Sequence, residues 1–310
     1  STYANVRIAE EFVILAEDIE KGKLIDTHYK TIAENAMQMS VKEMRIPQLE
    51  FKKSFKEDID VVIKDGRIFN AEQALTEAGM TPEQLNEAWQ KADHSISSTG
   101  GKVIKFRHGL YCAKIQLKQK KIYVINGFYM ALRRKFTHQH ESIYAFVIHW
   151  DSSVLAWNEL QTKVIGALNP ADAECGSIRK TVFDKYEEYG LTCKPDVHNN
   201  VVHSSASPLQ GLLERCNWLS REIREDEYGQ ALLKKGVPES IILSWAENHQ
   251  VQTPSTQSDE EVMQLREIFD IVKGLASPEC TQCLVQLYDD ELFGQMEQSS
   301  CLPKRICCIS

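Results

Sequence analysis

No run of about eighteen apolar residues occurs in this sequence of 310 residues, although a helix that spans a bilayer needs roughly that length. The N-terminal residues also lack the apolar segment of a secretory signal. These absences argue against a membrane-spanning or secreted protein. We therefore expect a cytoplasmic protein, with membrane association only through a lipid attached to the chain.

Basic residues are not in excess in this sequence. Lysine and arginine number 36 against 44 aspartates and glutamates, which gives a formal net charge of −8 at pH 7. A dedicated nucleic-acid-binding protein needs a strong positive field to attract a phosphate polymer. The charge balance therefore argues against nucleic acid as a partner.

The sequence has no second cysteine pair with zinc-ligand spacing beside Cys280 and Cys283, although Cys301, Cys307 and Cys308 lie downstream. Cys280 and Cys283 could be half of a zinc site, which is the alternative to free thiols. The nine cysteines are irregularly spaced, whereas structural zinc sites combine four ligands in regular pairs. We expect free thiols in a reducing compartment and no resident metal.

The last four residues, Cys307-Cys308-Ile309-Ser310, match a C-a-a-X prenylation box and follow the basic pair Lys304-Arg305. Cys307 is therefore a candidate for lipidation. One prenyl chain binds a membrane weakly, so the basic pair or a second lipid would be needed. The alternative is a cysteine-bearing tail without a lipid.

The length suggests two domains, or one domain with a large extension, and no internal repeat is present. Period-two alternation predicts strands and helical spacing predicts helices. The predicted strands are residues 5–15, a hairpin of 109–117 and 121–128, and 143–150, the last apolar enough to be central in a sheet. The predicted helices are residues 22–37, two short helices near 71–75 and 82–92, 154–165, 220–235 and 260–275, with a linker over 251–258.

Residues 200–205, Asn-Val-Val-His-Ser-Ser, form the most informative segment. Two β-branched valines predict that a buried strand ends just before His203. Ser207 and Pro208 are the residue types that favour the N-cap and the first position of a helix. That helix carries Glu214, whose carboxylate would fix the tautomer of His203 and leave its other nitrogen as a nucleophile. The alternative is a buried histidine that only satisfies a hydrogen bond.

Four motifs, one of which contains this histidine, follow one another along the chain. Their order resembles that of the corresponding motifs in nucleoside diphosphate kinases, including a divergent eukaryotic branch of similar proteins. The resemblance covers roughly residues 6–220. The motifs are Asn-Pro-Ala-Asp at 169–172, Gly-Ser-Ile-Arg at 176–179, the segment 200–205 with Glu214, and Trp-Leu at 218–219.

The resemblance implies an α+β fold with a ferredoxin-like βαββαβ core over residues 1–219. A helical insertion at about 38–100 and a helical C-terminal extension over 220–310 would complete the chain. Family members usually form hexamers or tetramers, so a homo-oligomer or another protein partner is an open expectation.

The resemblance also implies a role for each site residue. His203 would become a phosphohistidine, supported by Ser205 and Glu214. The hydroxyl of Tyr29, which follows a histidine as in the family, would contact the catalytic ring. Arg179 would bind the nucleotide phosphates and Asn200 would lie near the sugar. Magnesium would bridge the phosphates of the nucleoside triphosphate or diphosphate.

Several family residues are replaced or lacking in this chain. Leu168 stands where the family has a threonine, Ser204 replaces a glycine, and Thr162 replaces an arginine, although Lys163 beside it supplies charge. The family's first-strand lysine has no counterpart, because Lys64 falls after Tyr29 in chain order. Each charged donor that is lost costs about two to four orders of magnitude in rate. Two functions are therefore expected: phosphoryl transfer through His203, or a catalytically impaired fold that acts as an interaction or scaffold protein.

The alignment places the start of this chain at the family's second strand. The central strand would then be supplied by another segment, such as residues 110–117, by a partner, or by further sequence of a longer product.

Overall fold

The chain folds into an α+β structure with a four-stranded mixed sheet, as a computed structural model shows. The structure describes residues 6–94, 103–117, 120–197, 199–247, 250–254 and 263–300. These residues are divided between two compact units. The sheet unit is Glu10–Phe146, and the histidine unit combines Ser1–Ala9 with Val147–Ser310. The predicted boundary at 219/220 falls inside the histidine unit.

The sheet unit contains four strands in the order β2-β5-β4-β3. Strands β4 and β5 form the hairpin that the alternation predicted, and β2 joins the other edge of β5 in parallel. The strands are β2 (Ile68–Asn70), β3 (Val103–Arg107), β4 (Leu110–Leu117) and β5 (Lys120–Ile125). One parallel and two antiparallel pairings make the sheet mixed.

Strand β5 is buried on both faces, because its side chains alternate between two hydrophobic clusters. Ile122 and Val124 pack with Leu85 and Trp89 on one face. Tyr123 and Ile125 pack on the other face with a cluster that includes Phe51. The sheet is therefore covered by helices on both sides.

The helices of this unit supply both layers. They are α1 (Ala16–Gly22), α2 (Leu24–His28), α3 (Lys30–Ala33), a π-helical turn (Glu34–Gln38), α4 (Gln48–Phe55), α5 (Ile59–Lys64), α6 (Ala71–Ala78), α7 (Pro82–His94) and α8 (Tyr129–Thr137). The helices predicted near 71–75 and 82–92 are confirmed. Asn70 and Gln73 cap α6 by reciprocal hydrogen bonds.

The single helix predicted over residues 22–37 is wrong. Tyr29 interrupts it with φ −108° and ψ 37°, outside the helical region. Its backbone N–H still donates to the Ile25 carbonyl at 3.1 Å, so the chain bends at Tyr29 before it continues. Helical spacing of apolar residues survives such a bend, and for this reason the pattern did not reveal it.

Strands β1 (Arg7–Leu15) and β6 (Ser142–His149) pair as a two-stranded sheet. Both were predicted as strands, but the central position expected for residues 143–150 is wrong. Within the described ranges β6 has one neighbour, and Tyr144 and Phe146 are exposed. Apolar content alone did not separate a central strand from an exposed one.

The histidine unit is mostly helical. Its elements are α9 (Trp157–Glu159), a π-helical turn (Leu160–Ile165), a 3₁₀ turn (Pro170–Asp172), α10 (Ile178–Asp184), α11 (Pro208–Leu219), α12 (Glu227–Lys234), α13 (Glu239–Ser244), a second 3₁₀ turn (Trp245–Glu247), β7 (Gln250–Pro254), β8 (Met263–Glu267), α14 (Ile268–Val272) and α15 (Ser277–Ser300). Leu209 and Leu212 of α11 lie in one buried cluster with Trp245, Ile268 and Cys280.

The C-terminal part of this unit differs from the expectation at two places. Residues 220–226, predicted as the first part of a helix over 220–235, are not helical, and α12 begins at Glu227. Strands β7 and β8 pair antiparallel where the sequence predicted a linker and the start of a helix. Val251 of β7 belongs to the buried cluster that also contains Trp245 and Ile268. Across the described ranges, no helix combines the length and the apolar character needed to cross a membrane. Cys307 lies outside the described residues.

Candidate functional site

The segment before His203 is a loop and not the end of a strand as predicted. Val201 has a positive φ of 64° and is exposed, and the Val202 N–H donates to the Asn200 carbonyl at 2.9 Å in a tight turn. Beside this loop Asp196 and Asn199 form an isolated bridge. The strand preference of two valines needs a neighbouring strand, which the described part of the unit does not supply.

Helix α11 begins as the sequence predicted. The Ser207 side chain accepts a hydrogen bond from the Gln210 N–H, and Pro208 occupies the first helical position. Glu214 therefore lies on the second turn of α11, on the side that faces the loop. Nε2 of His203 lies 2.7 Å from Oε1 of Glu214. The predicted pairing of the imidazole with this carboxylate is present in the structure.

Three donors reach the Glu214 carboxylate from the same unit. Oε1 accepts hydrogen bonds from His203 Nε2 at 2.7 Å and from Gln210 Nε2 at 2.8 Å. Oε2 accepts a hydrogen bond from Ser205 Oγ at 2.5 Å. An ionised carboxylate only accepts hydrogen bonds, so it suits three donors. Nε2 of His203 then carries the proton, and in the neutral ring the lone pair lies on Nδ1.

Two opposing effects set the protonation of His203. Burial of the ring opposes the charged form and is the largest single effect, although 53% of the side chain is exposed. The hydrogen bond and negative charge of Glu214 act the other way and prevail, so the pKa of His203 is raised above its ordinary value. The positive charge of Arg179 lowers the pKa and is a smaller effect.

The loop on the other side of His203 is held by two side chains from the preceding helical segment. Trp157 Nε1 and Gln161 Nε2 donate to the Ser205 carbonyl, at 3.1 and 2.8 Å. Gln161 lies in a π-helical turn that closes with a hydrogen bond from the Gly166 N–H to the Gln161 carbonyl. Such turns are frequent at functional sites.

Arg179 is buried and clamps two loops together. Its Nη1 donates to the Gly166 carbonyl at 2.9 Å and its Nη2 to the Val202 carbonyl at 2.7 Å, next to His203. Its Nε is buried without a hydrogen-bond partner. In the described structure this guanidinium therefore positions the histidine loop, and its charge reaches the imidazole.

The other predicted nucleotide-binding side chains also contact the protein. The Asn200 amide donates to the Leu168 carbonyl at 3.3 Å, which joins the histidine loop to the segment before Asn169. Lys163 forms an ion pair with Glu159 on its own helical segment. Tyr29 belongs to the sheet unit, where its ring packs edge-on against His28 and Tyr129. Its contact with the His203 ring stays a prediction.

Sequence reasoning missed Trp157, Gln161 and Gln210. A signal existed for Gln210, because residues four apart on a helix share a face, and it precedes Glu214 by four. The other two had no signal, because their partner is a backbone carbonyl in a loop of irregular conformation.

Comparison of the chain with models of known protein families, with curated proteins and with solved structures found no match.

Proposed function

We propose that this protein binds a nucleoside triphosphate and transfers its γ-phosphoryl group through a phosphohistidine at His203, as a nucleoside diphosphate kinase does. The observation that carries the proposal is the 2.7 Å contact of His203 Nε2 with Glu214. It leaves Nδ1 as the nucleophilic atom, on a side chain that is half exposed. Ser205 supports the arrangement by donating to the other carboxylate oxygen.

The transfer needs one bond to form and one to break. The Nδ1 lone pair attacks the γ-phosphorus, the bond from that phosphorus to the bridging oxygen breaks, and the nucleoside diphosphate leaves with the electron pair. The proton on Nε2 stays in its hydrogen bond to Glu214, whose charge balances the positive charge that develops on the ring. A second nucleoside diphosphate then takes the phosphoryl group by the reverse step.

Cationic charge on the phosphates would come from two sources. Magnesium enters with the nucleotide as part of the substrate and is held by phosphate oxygens and water. The protein is the second source: the charge of Arg179 reaches the imidazole, and Lys163 lies in the same unit, where the neutral amide of Asn200 would lie near the sugar. The ferredoxin-like core belongs to this proposal, because neither the four-stranded sheet nor the β1-β6 pair amounts to that core by itself.

Incubation with γ-labelled triphosphate and magnesium tests the proposal. The wild-type protein should acquire a label that acid removes and base does not, as expected for a phosphohistidine. His203→Ala should acquire none, while His138→Ala, a variant of an exposed histidine in the sheet unit, should label normally. Absence of label on the folded wild-type protein would overturn the proposal.

A non-catalytic role as an interaction or scaffold protein is the second candidate. A specific observation favours it: both Nη atoms of Arg179 donate to backbone carbonyls, and Asn200 and Lys163 contact protein atoms. Side chains committed in this way are less available to phosphate. A ligand that binds only the native state must raise the melting temperature. The scaffold role therefore predicts no thermal shift with millimolar magnesium-ATP, and the kinase role predicts a clear increase.

A further inference from the structure

Gln210 connects the two elements that build the histidine site. Its amide oxygen accepts a hydrogen bond from the Ala206 N–H at 2.8 Å, in the loop that follows His203. Its amide nitrogen donates to Oε1 of Glu214, also at 2.8 Å. An amide supplies one acceptor and one donor, and here a backbone donor and a carboxylate acceptor fix which end points where. The side chain thus bridges the loop and helix α11.

We propose that Gln210 is a positioning residue of the phosphoryl-transfer site, which holds Glu214 in the orientation that keeps the proton on Nε2 of His203. This inference rests on the proposed function for its catalytic consequence, but the geometry of the imidazole can be measured without any reaction.

The geometry of helix α11 explains why the Gln210 side chain reaches Glu214. Gln210 and Glu214 are four residues apart on α11, so their side chains lie on the same face, one turn apart. Ser205 holds one carboxylate oxygen and Gln210 the other, and together they fix the carboxylate plane at two points. His203 then meets an acceptor whose position is already set before nucleotide binds.

Loss of the Gln210 amide should act on the ring through Glu214. Oε1 then loses the donor that Gln210 supplies, the carboxylate is held less firmly on that side, and the contact with Nε2 becomes longer or intermittent. The share of the tautomer with a proton on Nδ1 then rises, and that tautomer is not nucleophilic at Nδ1. The charged groups that act on the ring within this unit, Glu214 and Arg179, are unchanged by the substitution.

The test compares Gln210→Met with the wild-type protein by ¹⁵N NMR of the histidine rings. Methionine has a similar length and helix preference but neither hydrogen-bonding atom. We expect the His203 nitrogen shifts to move toward a mixed tautomer, and the rate of phosphohistidine formation to fall about 2- to 12-fold, the effect of one hydrogen bond. Unchanged ring shifts in a folded variant would overturn the inference.

A second variant keeps the test decisive if methionine disturbs folding. Gln210→Ala removes both hydrogen-bonding atoms, adds no charge beside Glu214 and keeps a strong helix former, so the ring shifts should again move. Gln230→Met serves as the matched control, because this exposed glutamine of α12 donates to the Arg224 carbonyl, and the His203 ring shifts should not move. If the wild-type protein forms no phosphohistidine while both Gln210 variants alter the tautomer, the proposed function fails and the positioning role stands. A lower melting temperature with unchanged ring shifts would mean that Gln210 only stabilises the loop.

Discussion

Asp226 accepts two hydrogen bonds from the guanidinium of Arg215, 2.6 Å from Nε and 3.0 Å from Nη2. Its side chain is 4% exposed, and its Oδ1 also caps helix α12 by accepting from the backbone of Tyr228 and Gly229. Arg215 follows Glu214 directly on α11. The pair therefore fixes the helix that carries the site carboxylate to the helix that follows it.

Replacement of Asp226 by alanine should lower the free energy of unfolding by about 3 kcal/mol, because it leaves the Arg215 charge without its partner and α12 without its cap. Asp226→Asn, which keeps a capping oxygen, should cost about 1–2 kcal/mol. Urea denaturation near neutral pH measures both. Equal losses in the two variants would show that the cap contributes nothing, and an Asp226→Asn protein as stable as the wild type would show that the charge pair contributes nothing.

The Asp226–Arg215 pair should make the free energy of unfolding depend on pH in the acidic range. Burial acts to raise the pKa of Asp226, but Arg215 and the helix amides outweigh it, so the pKa lies below its ordinary value. The stabilisation is complete above the ordinary aspartate pKa of about 3.9 and is lost as pH falls through the lower folded value. The difference in unfolding free energy between wild type and Asp226→Asn should therefore shrink in acid. A difference independent of pH would contradict this assignment.

Gly166→Ala should loosen the histidine loop. Gly166 has φ 105°, and an added Cβ would lie 2.7 Å from Ser177 Oγ and 3.1 Å from Arg179 Cβ. Its carbonyl accepts from Arg179, so the clash displaces the clamp on the residue before His203. We expect a loss of about 2 kcal/mol or more in unfolding free energy, together with slower phosphohistidine formation.

Gly211→Ala is the matched control for that change. It lies inside α11, where alanine is favoured, and the nearest atom to its Cβ is the flexible end of Arg215 at 3.2 Å. This variant should be within about 1 kcal/mol of the wild type. If both alanine variants melt alike, the tight approach at Gly166 is not a constraint.

In the sheet unit, Glu57 should be important for stability. Its carboxylate accepts from Lys114, Tyr123 and Arg67. Burial acts to raise its pKa, but these three groups prevail and lower it to about 2. Glu57→Gln should reduce the unfolding free energy by about 1–3 kcal/mol, because two cations lose their common partner.

Lys91→Gln is the control for Glu57, because its pair with Glu87 on α7 is exposed on both sides and should contribute little to stability. Chemical denaturation of the two variants compares them directly. A Glu57→Gln protein as stable as Lys91→Gln would show that the network is not stabilising.

The rate of phosphohistidine formation should increase as pH rises through the ordinary titration range of histidine, and it should continue to increase above that range. The pKa of His203 is raised, since Glu214 outweighs the opposing effect of burial, and the protonated ring has no lone pair on Nδ1. Glu214→Gln should move this rise to lower pH and reduce the plateau rate, because the amide lacks the charge that stabilises the developing imidazolium. A rise at the same pH in both proteins would contradict the role of the carboxylate.

Local signals predicted much of this site. Ser207 and Pro208 fixed the start of α11 by capping chemistry, and helical geometry then placed Glu214 beside the histidine. The β4–β5 hairpin followed from alternation within one short segment. Signals of this kind depend on neighbouring residues and do not depend on tertiary partners.

The features that the sequence did not reveal depend on tertiary packing. Val251 becomes a strand residue because β8 pairs with it, and Val201 lies in a loop because no described strand reaches it. Phe146 is exposed although its strand is strongly apolar. The π-helical turn that brings Gln161 to the Ser205 carbonyl has no known signature in residue type. Tertiary context overrides local preference at each of these positions.

A chase experiment tests the central claim most directly. Protein labelled with γ-phosphoryl groups is separated from nucleotide and mixed with unlabelled nucleoside diphosphate and magnesium. The account predicts that the label leaves the wild-type protein and appears in nucleoside triphosphate, and that His203→Ala carries no label to transfer. A wild-type protein that acquires no label, or that retains it in the presence of excess diphosphate, would contradict phosphoryl transfer through His203.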